Sequence, residues 1–295
     1  MMKKLPVFYR PEMSCAAATG VSPSAGKPKL AVEDWLAHPH IGPHIQIETF
    51  NPATDEILCG AHHEKYVDGV LSGELLNGFG TRDPDIAASL RYTVGSMVAA
   101  AKHVLTMRGR YRFAVSPTSG FHHAGYRQGG GFCTFNGLMA AAIRVHTLGL
   151  AERILIIDMD GHYGDGTDDI IKTLGIDYVD HITACKSYDT ANEALDCIWK
   201  QFRQLGERHY SLVLYQAGAD IHVDDPLGAG IMTEDEMIHR DYRVFAASVV
   251  NDTPVVWNLA GGYARDAQGT IEPVLKLHRN TMAQCLRMAG LRNGA

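Results

Sequence analysis

Short β-branched runs that alternate with helical stretches are the feature of this sequence that most limits its fold. The short runs are rich in Val, Ile and Tyr, and the longer stretches repeat apolar residues with helical spacing. Strands that alternate with helices predict a parallel sheet covered by helices on both faces. We therefore expect an α/β fold with a mostly parallel β-sheet. The predicted strands are residues 111–115, 153–157, 181–183, 211–215 and 254–259.

Stretches with helical periodicity lie between and around these strands. The clearest begins at Pro84, because Asp83 is a good N-cap residue and proline is favoured in the first turn. Residues 1 to about 45 contain six prolines and are expected to be irregular. Without repeats or an obvious linker, residues 1–295 are expected to form a single domain. The predicted helices are residues 84–106, 138–148, 167–174, 191–205, 234–250 and 271–289.

Charge and cysteine content exclude several classes of protein. The 295 residues carry 27 basic and 33 acidic side chains without a basic stripe, so nucleic acid is not an expected partner. A run of about 18 apolar residues and a signal-peptide-like segment are both lacking, which predicts no membrane association. Six scattered cysteines without a CxxC pair indicate reduced thiols and a cytoplasmic location. Assembly into a homo-oligomer is left open.

Polar residues follow four of the predicted strands, at the sheet edge where such folds bind ligands. Asp160 and His162 are two residues apart after an apolar strand, so both side chains point to the same side of an extended backbone. Asp220 follows another strand and could complete a catalytic metal site with three protein ligands and one open position. Taken alone, this pattern is more commonly a solvated turn at a strand end.

A pair of histidines, His122 and His123, follows the first of these strands. Imidazoles titrate near neutral pH and suit proton transfer from a metal-bound water to a leaving amine. Asp158 and Asp165 flank the proposed ligands and could each orient one histidine. Tyr263 follows two glycines and could reach a carbonyl oxygen. A surface histidine pair and a structural Gly-Gly-Tyr turn are the alternatives.

Three consecutive glycines, ending at Gly131, precede Phe132. The segment lacks the Lys-Ser/Thr ending and the GxGxxG spacing of phosphate-binding loops. Glycines let a backbone approach a ligand closely, and Phe132 could line an apolar channel. The alternative is a flexible turn with Phe132 in the core.

Together, these motifs resemble the histone deacetylase superfamily, which includes bacterial acetoin-utilisation proteins and acetylpolyamine amidohydrolases. The resemblance implies the arginase-like α/β fold, and this chain looks like a short bacterial member. The match in order and spacing extends from about Glu56 to the C-terminus, about four fifths of the chain. The matching segments are GFHHA (120–124), GGGFCTFN (129–136), IDMDGHYGDGT (157–167), AGAD (217–220), DPLG (225–228) and GGY (261–263).

The resemblance implies a zinc-dependent deacetylase. Such an amidohydrolase would remove an acyl group from acyl-lysine or a related acylated amine, with acetyl as the primary candidate. Zinc would be held by Asp160, His162 and Asp220, a ligand set that also suits iron(II). Metal-activated water would attack the amide. A structural potassium ion is implied nearby. Its ligands would come from Asp158, Asp160, His162, Thr183 and Ala184.

The resemblance also implies the catalytic roles of the other polar residues. His123 would be the general acid–base, with His122 as its electrostatic partner. Asp158 and Asp165 would be their orienting carboxylates. Tyr263 would polarise the substrate carbonyl.

Substrate contacts are implied for the residues around the channel. The Gly131 carbonyl would accept the amide hydrogen of the substrate, and Phe132 would line the acyl-lysine channel. Leu227 falls where polyamine-selective relatives place an acidic residue, which argues mildly against polyamine substrates. An amidohydrolase for acetylpolyamines or other small amides, using the same site, is the first alternative. A non-catalytic acyl-lysine-binding module is the second, and the complete set of motif residues argues against it.

Two departures from the family pattern concern the rim of the pocket. Only 34 positions separate Lys186 from Asp220, and the family's element that forms the second channel wall is missing there. Tyr188 is a candidate to replace that wall. The Arg-Pro-containing first loop of the family is not recognisable either. We therefore expect a wider, shallower entrance that tolerates bulky substrates or recruits a partner subunit.

Overall fold

The described strands form one fully parallel sheet. The computed structural model describes residues 4–15, 23–107, 111–183 and 188–291. The strands are β1 (Leu5–Phe8), β2 (Ile45–Glu48), β3 (Phe113–Val115), β4 (Ile154–Asp158), β5 (Val179–Thr183), β6 (Leu212–Gln216) and β7 (Val255–Asn258). Their order in the sheet is β2-β1-β3-β7-β6-β4-β5, and each pairing is parallel. The predicted α/β class is therefore confirmed.

Helices cover both faces of this sheet. The predicted N-cap at Asp83 is confirmed, because its Oδ1 accepts hydrogen bonds from the N–H groups of Asp85 (2.8 Å) and Ile86 (3.3 Å). Within the described ranges, no helix combines the length and apolar character that a membrane crossing needs. The helices are α1 (Lys27–Ala37), α2 (Asp55–Ala61), α3 (Glu64–Leu71), α4 (Pro84–Thr106), α5 (Gly137–Thr147), α6 (Asp165–Leu174), α7 (Ala191–Arg208), α8 (Glu234–Asn251) and α9 (Glu272–Met288).

The N-terminal region is more regular than the sequence suggested. The prediction of irregular structure up to about residue 45 is wrong, because strand β1 and helix α1 both lie in this region. Pro6 lies inside a strand of only four residues, and Pro28 lies in the first turn of α1. Prolines that usually mark loops are tolerated at these two positions. The division of the chain into domains stays a prediction.

Strand β4 shows how one strand serves two cores. Leu155 and Ile157 belong to the core on one face of the sheet, and Ile154 and Ile156 belong to the core on the other. All four side chains are fully buried. Because successive side chains of a strand point to opposite faces, a strand covered on both sides must be apolar throughout.

The carboxyl ends of the central strands are in register. Asp158 at the end of β4 is paired with Thr183 of β5 and with Gln216 of β6, and Gln216 is paired with Asn258 of β7. The Gln216 side chain also donates a hydrogen bond of 2.9 Å to Asp158 Oδ1. The loops that follow these strands therefore start from one edge of the sheet, which is where α/β sheets bind ligands.

Candidate active site

Asp160, His162 and Asp220 lie together at the carboxyl ends of β4 and β6. One ligand atom of each residue lies within 4.8 Å of the others. His162 Nδ1 is 3.1 Å from Asp160 Oδ1 and 3.1 Å from Asp220 Oδ2. Both carboxylates are buried, whereas His162 is partly exposed. The structure thus brings together the three residues that the sequence suggested as metal ligands.

The two carboxylates of this cluster attract positive charge. Burial and the neighbouring Asp160 carboxylate raise the pKa of Asp220 to about 7. Hydrogen bonds to Asp160 and Asp220 raise the pKa of His162 to about 11. Two buried carboxylates at this distance repel each other, and a divalent ion between them would relieve that repulsion. One imidazole nitrogen and two carboxylate oxygens form a donor set that zinc accepts, so the residues fit this metal.

Backbone N–H groups fix the orientation of both carboxylates. Gly261 donates a hydrogen bond of 2.8 Å to Asp160 Oδ2, and Gly161 donates one of 2.8 Å to Asp220 Oδ1. A Cβ atom on Gly261 would lie 2.0 Å from Asp220 Oδ2, so only glycine fits at this position. The remaining carboxylate oxygens point toward His162.

Each of the two adjacent histidines is paired with its own carboxylate. His122 Nδ1 lies 2.7 Å from Asp158 Oδ2, and His123 Nδ1 lies 2.6 Å from Asp165 Oδ1. The centres of the two imidazole rings are 4.1 Å apart. Because a carboxylate only accepts, each Nδ1 carries the donated hydrogen, and each Nε2 is directed away from the paired carboxylate. The predicted pairing of two histidines with two aspartates is thus present in the structure.

The two histidines differ in their charge. Burial disfavours the charged form of His122, but Asp158 and Asp160 outweigh burial and raise its pKa to about 9. Burial and the charge of His122 lower the pKa of His123, although Asp165 opposes this effect. These shifts favour a protonated His122 and a neutral His123 near pH 7. A neutral imidazole at this position can accept a proton.

The histidines share a pocket with the glycine loop and the tyrosine. A Cβ atom on Gly131 would lie 2.4 Å from Cδ2 of His123, so the loop passes very close to this ring. Gly131 and Phe132 both have positive φ angles, of 52° and 63°. The Phe132 ring lies 6.1 Å from the Tyr263 ring. The pocket is lined by Ser119, Gly120, His122, His123, Gly131, Phe132, Cys133, Asp160, Gly261 and Tyr263.

Tyr188 does not replace the missing second wall of the channel. Tyr188 is buried at 3% exposure, and its hydroxyl donates a hydrogen bond of 2.8 Å to the Asp158 carbonyl. Tyr188 therefore belongs to the core beneath the site and is not a channel wall. Phe79, which the sequence analysis missed, has its ring 6.0 Å from that of Phe132. Its position between two glycines was the signal that could have identified it.

Leu227 contributes to the site mainly through its backbone. Its carbonyl accepts a hydrogen bond of 2.8 Å from Nε2 of His162. Because a carbonyl can only accept, Nε2 of His162 carries the hydrogen and Nδ1 faces the two carboxylates. The side chain of Leu227 is 58% exposed, and its contact with substrate stays a prediction.

The predicted potassium ligands are only partly within the described residues. Asp158, Asp160, His162 and Thr183 lie close together around the end of β4, whereas Ala184 lies outside the described residues. Thr183 Oγ1 accepts a hydrogen bond of 2.7 Å from the N–H of Gly164. The potassium site stays a prediction.

A buried lysine beside the cluster was not anticipated. Nζ of Lys27 donates a hydrogen bond of 2.5 Å to the carbonyl of Ala260, in the loop that leads to Tyr263. Burial lowers the pKa of Lys27 to about 8, although Asp220 and Asp160 partly oppose this effect. Lys27 was missed because its region was expected to be irregular, and because 233 positions separate it from its partner.

A histidine beneath the His123 loop makes the fold sensitive to acid. His62 Nδ1 lies 2.8 Å from the Gly125 carbonyl, and its Nε2 accepts a hydrogen bond of 2.8 Å from the N–H of Asn136. Burial lowers the pKa of His62 to about 4, below its usual value near 6.5. Neutral His62 therefore stabilises the fold fully above about pH 6.5, and this contribution is lost as the pH falls through about 4.

We expect this residue to contribute about 3 kcal/mol to the pH dependence of the free energy of unfolding. The measurement compares urea unfolding of the wild type with that of the His62→Gln variant at several values between pH 7 and pH 4. The wild type should lose more stability than the variant over this range, because glutamine does not titrate. Equal slopes for both proteins would contradict the assignment.

Comparisons with known proteins identify the family. The model of the histone deacetylase domain matches residues 26–188. The chain belongs to the histone deacetylase family. An uncharacterized protein of Picosynechococcus sp. is 30% identical over 205 residues, which cover 63% of this chain and 66% of that protein. Histone deacetylase 2 of Arabidopsis thaliana is 30% identical over 217 residues, which cover 66% of this chain and 54% of that protein. The chain thus spans between about half and two thirds of the length of these relatives.

A solved structure confirms the fold of this histone deacetylase family member. The crystal structure of the HDA15 HD domain superposes with a TM-score of 0.75 and covers 100% of this chain and 92% of that chain. The two sequences are 19% identical, so this likeness bears on the fold alone. The expected deacetylase-like α/β architecture is therefore confirmed.

Proposed function

We propose that this protein is a zinc-dependent amidohydrolase that removes an acyl group from acyl-lysine or a related acylated amine, with acetyl as the primary candidate. One observation carries the proposal. Two adjacent histidines, each held by its own aspartate, line one pocket with Tyr263 beside the Asp160–His162–Asp220 cluster. This arrangement combines a metal site, a base and a hydrogen-bond donor, which together suit hydrolysis of an amide.

The proposed mechanism assigns proton transfer to His123. When bound by the cluster, zinc would lower the pKa of a water molecule and polarise the substrate carbonyl. The neutral Nε2 of His123 accepts the proton of the attacking water. The hydroxyl of Tyr263 donates a hydrogen bond to the carbonyl oxygen as negative charge develops there. Protonated His123 then donates its proton to the leaving amine.

His122 has a different role in this proposal. Its pKa is raised to about 9, so it stays protonated near neutral pH and transfers no proton. Its charge disfavours a second charge on His123, 4.1 Å away between ring centres, and so keeps the base neutral before the reaction. The same charge stabilises the negative transition state. Asp158 and Asp165 hold both rings in position.

The aromatic lining of the pocket supports a substrate with an apolar stem. Phe132 and Tyr263 provide aromatic surface on the way to the histidines, and the Gly131 carbonyl is proposed to accept the amide hydrogen. An acylated amine ending in a flexible chain, as in acyl-lysine, satisfies both features. Acetylpolyamines would enter the same pocket, but the exposed position 227 carries leucine and so offers no charge for a second amine.

The proposal is tested by turnover of a substrate panel. Zinc-loaded protein is assayed with acetyl-lysine peptide, longer acyl-lysine peptides and acetylpolyamine, each with and without a chelator. We expect hydrolysis of acyl-lysine that the chelator abolishes and added zinc restores. Turnover that withstands the chelator would contradict the zinc mechanism. Binding of acyl-lysine peptide without any turnover would instead indicate a non-catalytic module.

A further inference from the structure

Asp225 joins two separate loops of the candidate site through its carboxylate. Oδ1 accepts hydrogen bonds from the N–H groups of Leu227 (3.0 Å) and Gly228 (3.1 Å). Oδ2 accepts hydrogen bonds from the N–H groups of Tyr263 (2.7 Å) and Ala264 (3.2 Å). The side chain is 9% exposed. Asp225 itself had no predicted role beyond its place in the matching DPLG segment, and it takes no part in the proposed proton transfers.

The first of these loops holds the imidazole of His162. The carbonyl of Leu227 accepts the hydrogen bond from Nε2 of His162 at 2.8 Å, which leaves Nδ1 facing the two carboxylates. The same loop packs against the backbone of Asp220, because a Cβ atom on Gly228 would lie 1.6 Å from the Asp220 carbonyl oxygen. A shift of this loop would therefore move the His162 ring relative to the cluster.

The second loop, which carries Tyr263, begins with a strained backbone conformation at Ala260. Ala260 has a φ angle of 55°, in the left-handed region that non-glycine residues rarely adopt. Such a conformation persists only where surrounding contacts hold it. Lys27 holds the start of the loop at the Ala260 carbonyl, and Asp225 holds its end at the N–H groups of Tyr263 and Ala264.

We infer that Asp225 is a positioning residue that fixes the position of the Tyr263 loop relative to the His162 imidazole. The inference rests on the proposed function for the role of Tyr263. Only an ionised carboxylate offers acceptors to both pairs of N–H groups. An amide of the same shape keeps an acceptor for one pair and turns its NH₂ group toward the other. Asp225 is not part of the Asp160–His162–Asp220 cluster.

The Asp225→Asn variant tests the effect on turnover. We expect kcat on acyl-lysine to fall by about 10- to 100-fold at saturating zinc, with a much smaller change in KM, because supporting contacts of this kind have effects of this size. Asp266→Asn is the matched control. The Asp266 carboxylate accepts bonds from Gln268 and Thr270, so its contacts stay within its own turn, and kcat should be unchanged.

A double-mutant cycle separates positioning from general damage to the fold. In a Tyr263→Phe background the loss of kcat caused by Asp225→Asn should be several-fold smaller, because part of the effect passes through the missing hydroxyl. If the loss of kcat in the double variant equals the product of the two single losses, Asp225 is not coupled to Tyr263, and this part of the inference is overturned. An unchanged kcat in the single variant, with only a lower Tm, would reduce Asp225 to a structural residue.

Two further measurements do not depend on turnover. Zinc affinity of Asp225→Asn, measured by competition with a chelator, should fall by about 10-fold or more because the His162 imidazole is less well held. In the metal-free wild type, the amides of Tyr263, Ala264, Leu227 and Gly228 should exchange slowly with deuterium. Fast exchange of these amides would overturn the inference even if the variant does not fold. A wild type that hydrolyses no amide would refute the proposed function, and these two measurements would still decide the role of Asp225.

Discussion

The Asp220→Asn variant should lose about 10³-fold or more in kcat/KM and should bind zinc much more weakly. Asp220 provides one of the two buried carboxylates of the cluster, with Oδ2 3.1 Å from His162 Nδ1. A catalytic metal contributes several kcal/mol to the stabilisation of the transition state, and each 1.36 kcal/mol is about tenfold in rate. The measurements are turnover of acetyl-lysine peptide and zinc affinity by competition with a chelator.

The stability of the metal-free protein distinguishes loss of a ligand from unfolding. Burial and Asp160 raise the pKa of Asp220 from its ordinary value of 3.8 to about 7, so the metal-free fold loses stability as the pH rises between these two values, and the full cost of the ionised carboxylate is present at pH 8. Asparagine retains an acceptor for the N–H of Gly161 and removes the charge. The metal-free variant should therefore resist urea at pH 8 at least as well as the wild type.

Asp224→Asn provides the control for this substitution. Asp224 lies on the same loop, with its side chain 85% exposed, and contacts His222 at 3.9 Å. We expect wild-type turnover and zinc affinity from this variant. Undiminished zinc affinity in Asp220→Asn would show that Asp220 is not a ligand, and the metal site would have to be sought elsewhere.

The sequence was sufficient to predict the central strands and the residues at their ends. Strands covered on both faces must be apolar throughout, so β4 and β6 stand out as continuous apolar runs. The polar residues after these runs were compatible with a solvated turn, and only their combination with the other motifs of the histone deacetylase family indicated Asp160, His162 and Asp220 as metal ligands. Their mutual distances depend on the strand register and required the structure.

Contacts between distant parts of the chain could not be predicted from local patterns. Lys27 and Ala260 are 233 positions apart, and nothing near either residue indicates the other. The interpretation of Tyr188 failed for the same reason, because an aromatic residue after a strand suits a channel wall and a core equally well. Its burial and its hydrogen bond to the Asp158 carbonyl decide for the core. Sequence patterns thus indicated which polar residues meet at the site better than they indicated the scaffold that supports it.

The His123→Gln variant should lose about 10²- to 10⁴-fold in kcat/KM while it binds zinc like the wild type. This range is typical of the removal of a general base. His123 is not part of the metal cluster, so the loss should appear in turnover and not in metal affinity. His40→Gln, which changes an exposed histidine, should retain wild-type turnover.

The pH dependence of kcat/KM provides the sharper test of His123. Burial and the charge of His122 lower the pKa of His123, and the base acts only when it is deprotonated. Wild-type kcat/KM should therefore rise with pH through a value below about 6.5 and be level near neutrality. Asp165→Asn removes a carboxylate that opposes this lowering, so the rise should move to still lower pH while the rate falls. The residual activity of His123→Gln should lack this rise, and an unchanged acid limb in that variant would assign the base to another residue.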